Sequence, residues 1–448
     1  MHRMLLALMF FFTISVSLYA EQAVKQQPGE LTTIAKEFVD LLVREDFSAA
    51  VKAFDTKMAE VMPPDKLQQT WAALKDQVGV FKKQIAVRKD KIQQYDVVFV
   101  TCQFERAALD VRVIFDSSRK IAGLYFLPSP QSVSYVPPPY VKPDSFKETD
   151  VLIGAGNWVL PGTLTLPSGK GQFPAVVLVH GSGPQDRDET IGPNKPFRDL
   201  ALGLASKGIA VLRYEKRTKQ YATSLSTMIN EITVDEETIT DALEGVDLLR
   251  KTPEIDKKRI FVLGHSLGGM LIPRIGQKDT EIAGFIIMAG TTRPLEDVIL
   301  EQLTYIFSLD NNITADEQKQ LDQIQGQAAL VKSQNLSKDT PPNMLPLGIP
   351  ANYWLDLRGY DPAKEAANLK PPMLILQGGR DYQVTMDDFT RWKDSLSSRN
   401  NVQFKLYPAL NHLFISGEGR IEPAEYEKAG HIDKTVIDDI FNWIKSYN

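Results

Sequence analysis

Cysteine is nearly missing from this 448-residue chain. Cys102 stands alone, so no intramolecular disulfide can form and no cysteine cluster can hold a metal. It falls in an apolar, strand-like run at 97–104, where a buried, inert thiol is expected. A dominant charge is also missing. The 51 Lys and Arg against 56 Asp and Glu leave a net charge of -5, well mixed along the chain, which gives no reason to expect nucleic acid or an anionic membrane as partner. No internal repeat stands out. Histidine is scarce: the chain has five, so any chemistry that needs an imidazole has few candidates.

What is present begins with an apolar segment. Residues 4–19 are almost wholly apolar, Arg3 precedes them, and Ala20 leads into a polar stretch. This is the pattern of a secretory signal peptide over residues 1–20, cleaved after Ala20. It implies export to a bacterial periplasm or beyond, with no membrane association once the leader is removed. A retained anchor is the alternative, although the run is short of the ~20 residues a span requires.

A chain of this length is expected to form two domains. Residues 31–127 read as a small α+β unit. Leu31, Ile34, Phe38, Leu41 and Leu42 share a helical face, further helix follows through Phe54 and around Trp71, and three strands are expected at 97–104, 109–115 and 121–127. Residues 128–146, "PSPQSVSYVPPPYVKPDSF", are proline-rich and read as an extended linker. From 147 to 448 strands and helices alternate. Strands are expected at 149–153, 159–166, 174–179, 208–213, 259–263, 282–289, 372–376 and 402–406, with a helix opened by the capping pair Thr233 and Glu236. Near-continuous Val, Ile and Leu runs between helices predict an α/β class fold with a mostly parallel sheet. Residues 291–370 contain no strong strand and read as a helical cap insertion over a site.

One stretch carries chemistry. In "RIFVLGHSLGGM", the pattern Gly264-His265-Ser266-Leu267-Gly268 lies between an expected strand and an expected helix. A serine on such a turn is forced outward, the glycines let neighbouring backbone approach, and the helix N-terminus favours developing negative charge. A hydroxyl needs a base. His2 lies in the leader, His180 is placed to order its own loop, His265 neighbours Ser266 in the turn, and His431 sits near the last helix with a surface role expected. His412, in a loop after strand 402–406, is placed to reach Ser266. Asp381 directly follows a buried strand and is expected to orient the imidazole, whereas Asp387 and Asp388 are expected to face solvent. The expected oxyanion donors are the backbone N–H groups of Leu267 and of Ser182 in "HGSGPQDRD", with Gly183 the next candidate for the second. Asp186, Arg187, Asp188, Arg213 and Arg217 are expected to form an ion network beside the site.

Together, "HGSGPQDRDE", "GIAVLRYEKR", "GHSLGG", "GGRDYQV" and "NHLF" resemble the α/β-hydrolase superfamily over residues 147–448, and within it a group of bacterial secreted serine esterases of acyl-peptidase-like or dienelactone-hydrolase-like type. The first unit loosely resembles NTF2-like or cystatin-like domains. The resemblance implies that Ser266, Asp381 and His412 form a catalytic triad acting on short carboxylic esters, with a small-molecule ester as substrate and no metal or cofactor required. Ser266 departs from dienelactone hydrolases, which use cysteine, and no β-propeller precedes the domain as in prolyl-oligopeptidase relatives. An acyl-aminoacyl peptidase, thioesterase or acyltransferase with the same residues is the alternative enzyme reading. A binding protein with a degenerate site is the alternative outside catalysis.

Overall fold

Runs of alternating or continuous apolar residues bury themselves in two separate sheets. The structure, a computed structural model, describes residues 30–92, 95–129, 135–226 and 228–447. The proposed leader over residues 1–20 and the linker positions 130–134 lie outside them. The chain divides into two compact units at Tyr135.

In the first unit, β1 (Phe81–Ile92), β2 (Tyr95–Phe104), β3 (Ala108–Phe115) and β4 (Ile121–Pro128) form an antiparallel sheet in the order β1-β2-β3-β4. The helices Glu30–Val43 and Pro64–Val78 supply Phe38, Leu42 and Trp71 to a core shared with Val100, Cys102, Phe104, Val111 and Val113. Cys102 is fully buried, and burial beside Asp110 and Asp40 pushes its thiol up to about 12, which makes it unreactive. The sheet has four strands where three were expected. β1 is an edge strand, "FKKQIAVRKDKI", largely exposed and rich in lysine. Its alternation is masked by charges that suit an unpaired edge.

The second unit is an eight-stranded sheet in the order β12-β11-β10-β9-β7-β8-β6-β5. It contains β5 (Phe146–Ile153), β6 (Leu160–Pro167), β7 (Phe173–Val179), β8 (Ala210–Tyr214), β9 (Ile255–His265), β10 (Gly284–Met288), β11 (Met373–Gly378) and β12 (Val402–Tyr407). β5 and β6 pair antiparallel at one edge, β6 meets β8 antiparallel, and the remaining ladders are parallel. Both faces are covered, which is why the central strands read as unbroken apolar runs. The helices Pro196–Ala205 and Lys434–Lys445 cover one face through Phe197, Leu200, Val436 and Ile440. The helices Thr240–Lys251, Leu267–Lys278 and Met386–Leu396 cover the other through Val246, Leu271, Ile275 and Trp392.

Two local features bear on the site. Glu236 accepts the backbone N–H of Thr233 as a capping residue should, but the first turn after it is a wide π-type segment, Asp235–Ile239, before regular helix begins at Thr240. The insertion after β10 is helical, with Leu295–Phe307, Ala315–Lys332 and Ala351–Leu357 as its main elements. It has its own small core of Ile299, Val331, Leu336, Leu345 and Trp354. No helix among the described residues is long and apolar enough to cross a membrane.

Candidate active site

Every candidate residue lies just past the C-terminal end of a parallel strand, where open α/β sheets place their crevices. The sheet order sets β11, β10, β9 and β7 side by side, with β12 outside β11. Ser182 follows β7, Ser266 follows β9, Asp381 follows β11 and His412 follows β12.

Ser266 is held in a strained conformation, with φ 53° and ψ -116°. Such backbone persists only where its surroundings over-determine it. Its N–H donates to Met288 O at 2.9 Å, its carbonyl starts the helix Leu267–Lys278, and two glycines allow the fit. A Cβ on Gly264 would lie 2.3 Å from Gly268 O, and one on Gly268 would lie 2.3 Å from Val179 O. Ser266 is half-buried while its chain neighbours His265 and Leu267 are buried. The N–H of Leu267, in the first helical turn, has no intrahelical acceptor.

His412 Nδ1 donates to Asp381 Oδ2 at 2.6 Å, and both side chains are buried. That bond leaves Nε2 as the acceptor nitrogen of the ring. Asp381 Oδ1 accepts the backbone N–H groups of Gln383 at 2.8 Å and Val384 at 3.0 Å, which fix the carboxylate. No hydrogen bond joins Ser266 Oγ to His412 among the described residues. Such contacts are often long in an unliganded hydrolase and tighten around substrate.

The structure supplies the link through a residue excluded as a base. His265 Nε2 donates to His412 O at 2.9 Å, and the two rings lie 4.6 Å apart. His265 Nδ1 lies 2.9 Å from Glu189 Oε2, close but not aligned as a hydrogen bond. Burial acts to lower the His265 pKa, but the Glu189 carboxylate outweighs it and the ring is held above its usual value. Glu189 is likewise buried, and the opposing effects of His265, His180 and the Gly181 N–H keep its carboxyl below the usual range. His265 therefore braces the loop that carries His412 through its bond to the His412 carbonyl.

A second bridge joins the acid and base loops. Arg380 makes a paired contact with Glu425 at 3.0 and 2.7 Å, and Glu425 accepts Asn411 Nδ2 at 2.9 Å. Arg380 precedes Asp381 and Asn411 precedes His412. Glu189, Arg380, Asn411 and Glu425 were not singled out from the sequence. Arg380 and Asn411 sit next to candidate residues in "GGRDYQV" and "NHLF", the one signal that pointed to them.

The loop after β7 touches Ser266 directly. A Cβ on Gly181 would lie 3.2 Å from Ser266 Cβ. The Gly181 N–H donates to Glu189 Oε1 at 2.7 Å, while the N–H of half-buried Ser182 meets no protein acceptor among the described residues. His180 donates from Nε2 to Asp186 O at 3.1 Å and so orders this loop. The neighbouring ions pair with one another: Arg213 with Asp188 and Glu148, Arg187 with Glu215 and Asp150, and Arg217 with Asp241. His431, expected at the surface, is partly exposed and contacts the buried Asp199 at 3.1 Å.

Asp388 corrects an expectation. Its carboxylate is fully buried, not solvent-facing, and accepts Thr291 Oγ1, the Thr292 N–H and the Arg293 guanidinium. These partners outweigh the cost of burial and hold it below the ordinary carboxylate range. The helix Met386–Leu396 is amphipathic, and Asp388 falls on its inner side, where the insertion begins. The insertion also reaches the acid loop. Tyr305 stacks on Tyr382 with centroids 4.8 Å apart, and Gln302 donates to Gln383 O at 3.0 Å. Among the described residues no cluster of His, Cys, Asp or Glu could hold a metal ion.

The parallel sheet and the serine turn define a serine hydrolase of the α/β-hydrolase fold. Residues 174–418 match the family described as serine aminopeptidase, S33, and the chain belongs to it. Residues 35–124 match a protein family of unknown function. The chain is 42% identical over 407 residues to Esterase EstD of Thermotoga maritima, covering 91% of this chain and 93% of that one. Among solved structures it is similar to an acylaminoacyl peptidase of Pyrococcus horikoshii, with 16% identity, TM-score 0.43 and coverage of 81% of this chain, which spans 50% of that peptidase. It is also similar to an esterase of Pyrococcus furiosus, with 17% identity, TM-score 0.44, and coverage of 69% of this chain and 97% of that one.

Proposed function

We propose that this enzyme is an exported serine carboxylesterase that hydrolyses short carboxylic esters through an acyl-enzyme. The observation that carries the reading is the buried 2.6 Å bond from His412 to Asp381, on loops braced against the strained turn of Ser266. Ser266 Oγ attacks the ester carbonyl while His412 Nε2 takes its proton. Asp381 holds the ring in the required tautomer and stabilises the imidazolium. The N–H groups of Leu267 and Ser182 bind the oxyanion. His412 then gives its proton to the departing alkoxide, leaving acyl-Ser266. Water, deprotonated by the same histidine, attacks the acyl carbon; the bond to Ser266 Oγ then breaks as His412 returns the proton to Oγ, and the carboxylic acid leaves. The insertion caps the crevice and sets which acyl groups enter.

Peptidase action is the second reading, favoured by the family description. It differs in the leaving group, an amine that must be protonated as the C–N bond breaks. Turnover of nitrophenyl butyrate, its thioester counterpart and an aminoacyl anilide by wild type and Ser266→Ala tests both. The ester reading expects turnover of the nitrophenyl ester that is lost in Ser266→Ala. An unchanged rate in that variant sinks it, and faster cleavage of the anilide than of the ester favours the peptidase.

A further inference from the structure

The peptide that joins Gly181 to Ser182 is gripped from beneath by a buried ion. Lys216 is 1% exposed, and its Nζ donates to Gly181 O at 2.7 Å. The same ammonium lies 2.7 Å from Glu237 Oε1. Glu237 sits on the wide turn Asp235–Ile239, and its Oε2 accepts the hydroxyl of the buried Tyr353 at 2.7 Å. Tyr353 belongs to the helix Ala351–Leu357 of the insertion. Placing a lysine and a glutamate in the interior is expensive, and apolar side chains of similar volume would fill the same space at less cost. The arrangement therefore has a use beyond filling.

A trans peptide is planar, and its C=O and N–H point in opposite directions. Fixing the Gly181 carbonyl on Lys216 consequently turns the Ser182 N–H the other way, out of the interior. Gly181 is free of a side chain and offers little resistance to rotation of this peptide, so an external grip is needed. The Gly181 N–H is fixed separately by Glu189, whereas the Ser182 N–H, on the peptide that Lys216 holds, meets no protein acceptor among the described residues. We propose that Lys216 is a positioning residue for the oxyanion site: it orients the Ser182 N–H through the Gly181 carbonyl. The Glu237–Tyr353 contact ties that orientation to the insertion. The inference rests on the serine-esterase reading above.

The test compares Lys216→Met with the double variant Lys216→Met/Glu237→Gln, alongside Ser266→Ala. The single variant strands the Glu237 charge and is expected to melt well below wild type. The double variant removes both ions and is expected to recover most of that stability. In both, kcat for nitrophenyl butyrate should fall about 10- to 100-fold with KM within about two-fold, since a misaimed oxyanion donor is felt in the transition state and not in substrate binding. The inhibition constant of a trifluoromethyl ketone, which forms a tetrahedral adduct, should rise in proportion. A double variant that recovers kcat together with its melting temperature overturns the proposal, because the pair would then serve stability alone. A loss seen in KM and not in kcat overturns it as well. Undiminished turnover in Ser266→Ala is a separate result that removes the underlying esterase reading.

Discussion

His180 offers a quantitative test of how the loop after β7 is built. The side chain is 1% exposed, with the rings of Phe197 and Tyr214 about it at centroid distances of 5.0 and 5.1 Å. Burial lowers its pKa from 6.5 to about 4, and the nearby Lys216 ammonium acts in the same direction against Glu189 and Asp186. The folded protein thus keeps this ring neutral at pH values where the unfolded chain protonates it. Stability from this source is complete above about pH 6.5 and is lost as pH falls toward about 4, at which point both states carry the proton. A difference of this size corresponds to about 3 kcal/mol in full, of which about 2 kcal/mol is lost between about pH 7 and pH 4.5. His180→Gln keeps a donor for the Asp186 carbonyl and cannot titrate. Urea unfolding of both proteins, followed by tryptophan fluorescence at the two pH values, isolates the effect as a difference of differences. The variant should lose about 2 kcal/mol less than wild type on acidification, whatever its stability at neutral pH. Equal acid losses in the two proteins would refute the reasoning, since His180 would then titrate alike in the folded and unfolded chains.

Other expectations follow from the contacts around the site. Asp381→Asn should lower kcat on the order of 10³-fold with KM little changed, by freeing the wrong His412 tautomer; steady-state kinetics check this, and a ten-fold loss or less would argue against the assigned role. Gly181→Ala places a methyl group 3.2 Å from Ser266 Cβ and 3.3 Å from Glu189 Oε1, so kcat should drop more than about ten-fold while the melting temperature moves by a few degrees. Asp388→Ala strands the Thr292 N–H and leaves the Arg293 guanidinium with Glu301 as its one ionic partner among the described residues, and should cost about 2 kcal/mol in urea unfolding. The exported protein should begin at Glu21 by intact mass, and a retained leader would count against the secretion reading.

The sheet was legible in the sequence because burial on both faces writes itself as uninterrupted Val, Ile and Leu. Each strand expected from 149 onward overlaps an observed one. β1 was not legible because an exposed edge selects charge, and its alternating pattern vanishes under lysines. The loops bearing Ser266, Asp381 and His412 could be picked out because each follows a strand of the recognised order, and the structure joins two of those side chains by a hydrogen bond. Their supports were hidden. Lys216, Glu189, Glu237 and Glu425 are charged residues that a sequence reading assigns to solvent, and only the fold reveals that each is paired. Asp388 was misassigned for the same reason: a carboxylate on a helix looks soluble until threonines and an arginine from another segment surround it.

The insertion is fastened at both of its ends and has a small core between them. Near its start, Tyr305 and Gln302 grip the loop that follows Asp381; near its finish, Tyr353 grips Glu237. Residues 308–350 run between these fastenings and pack Val331, Leu336 and Leu345 onto Ile299 and Trp354 of the fastened helices. The stretch is thus keyed to its own anchors and not to the sheet beneath. A graft in its place has to keep those five side chains in register, and one that does so should leave the serine turn undisturbed.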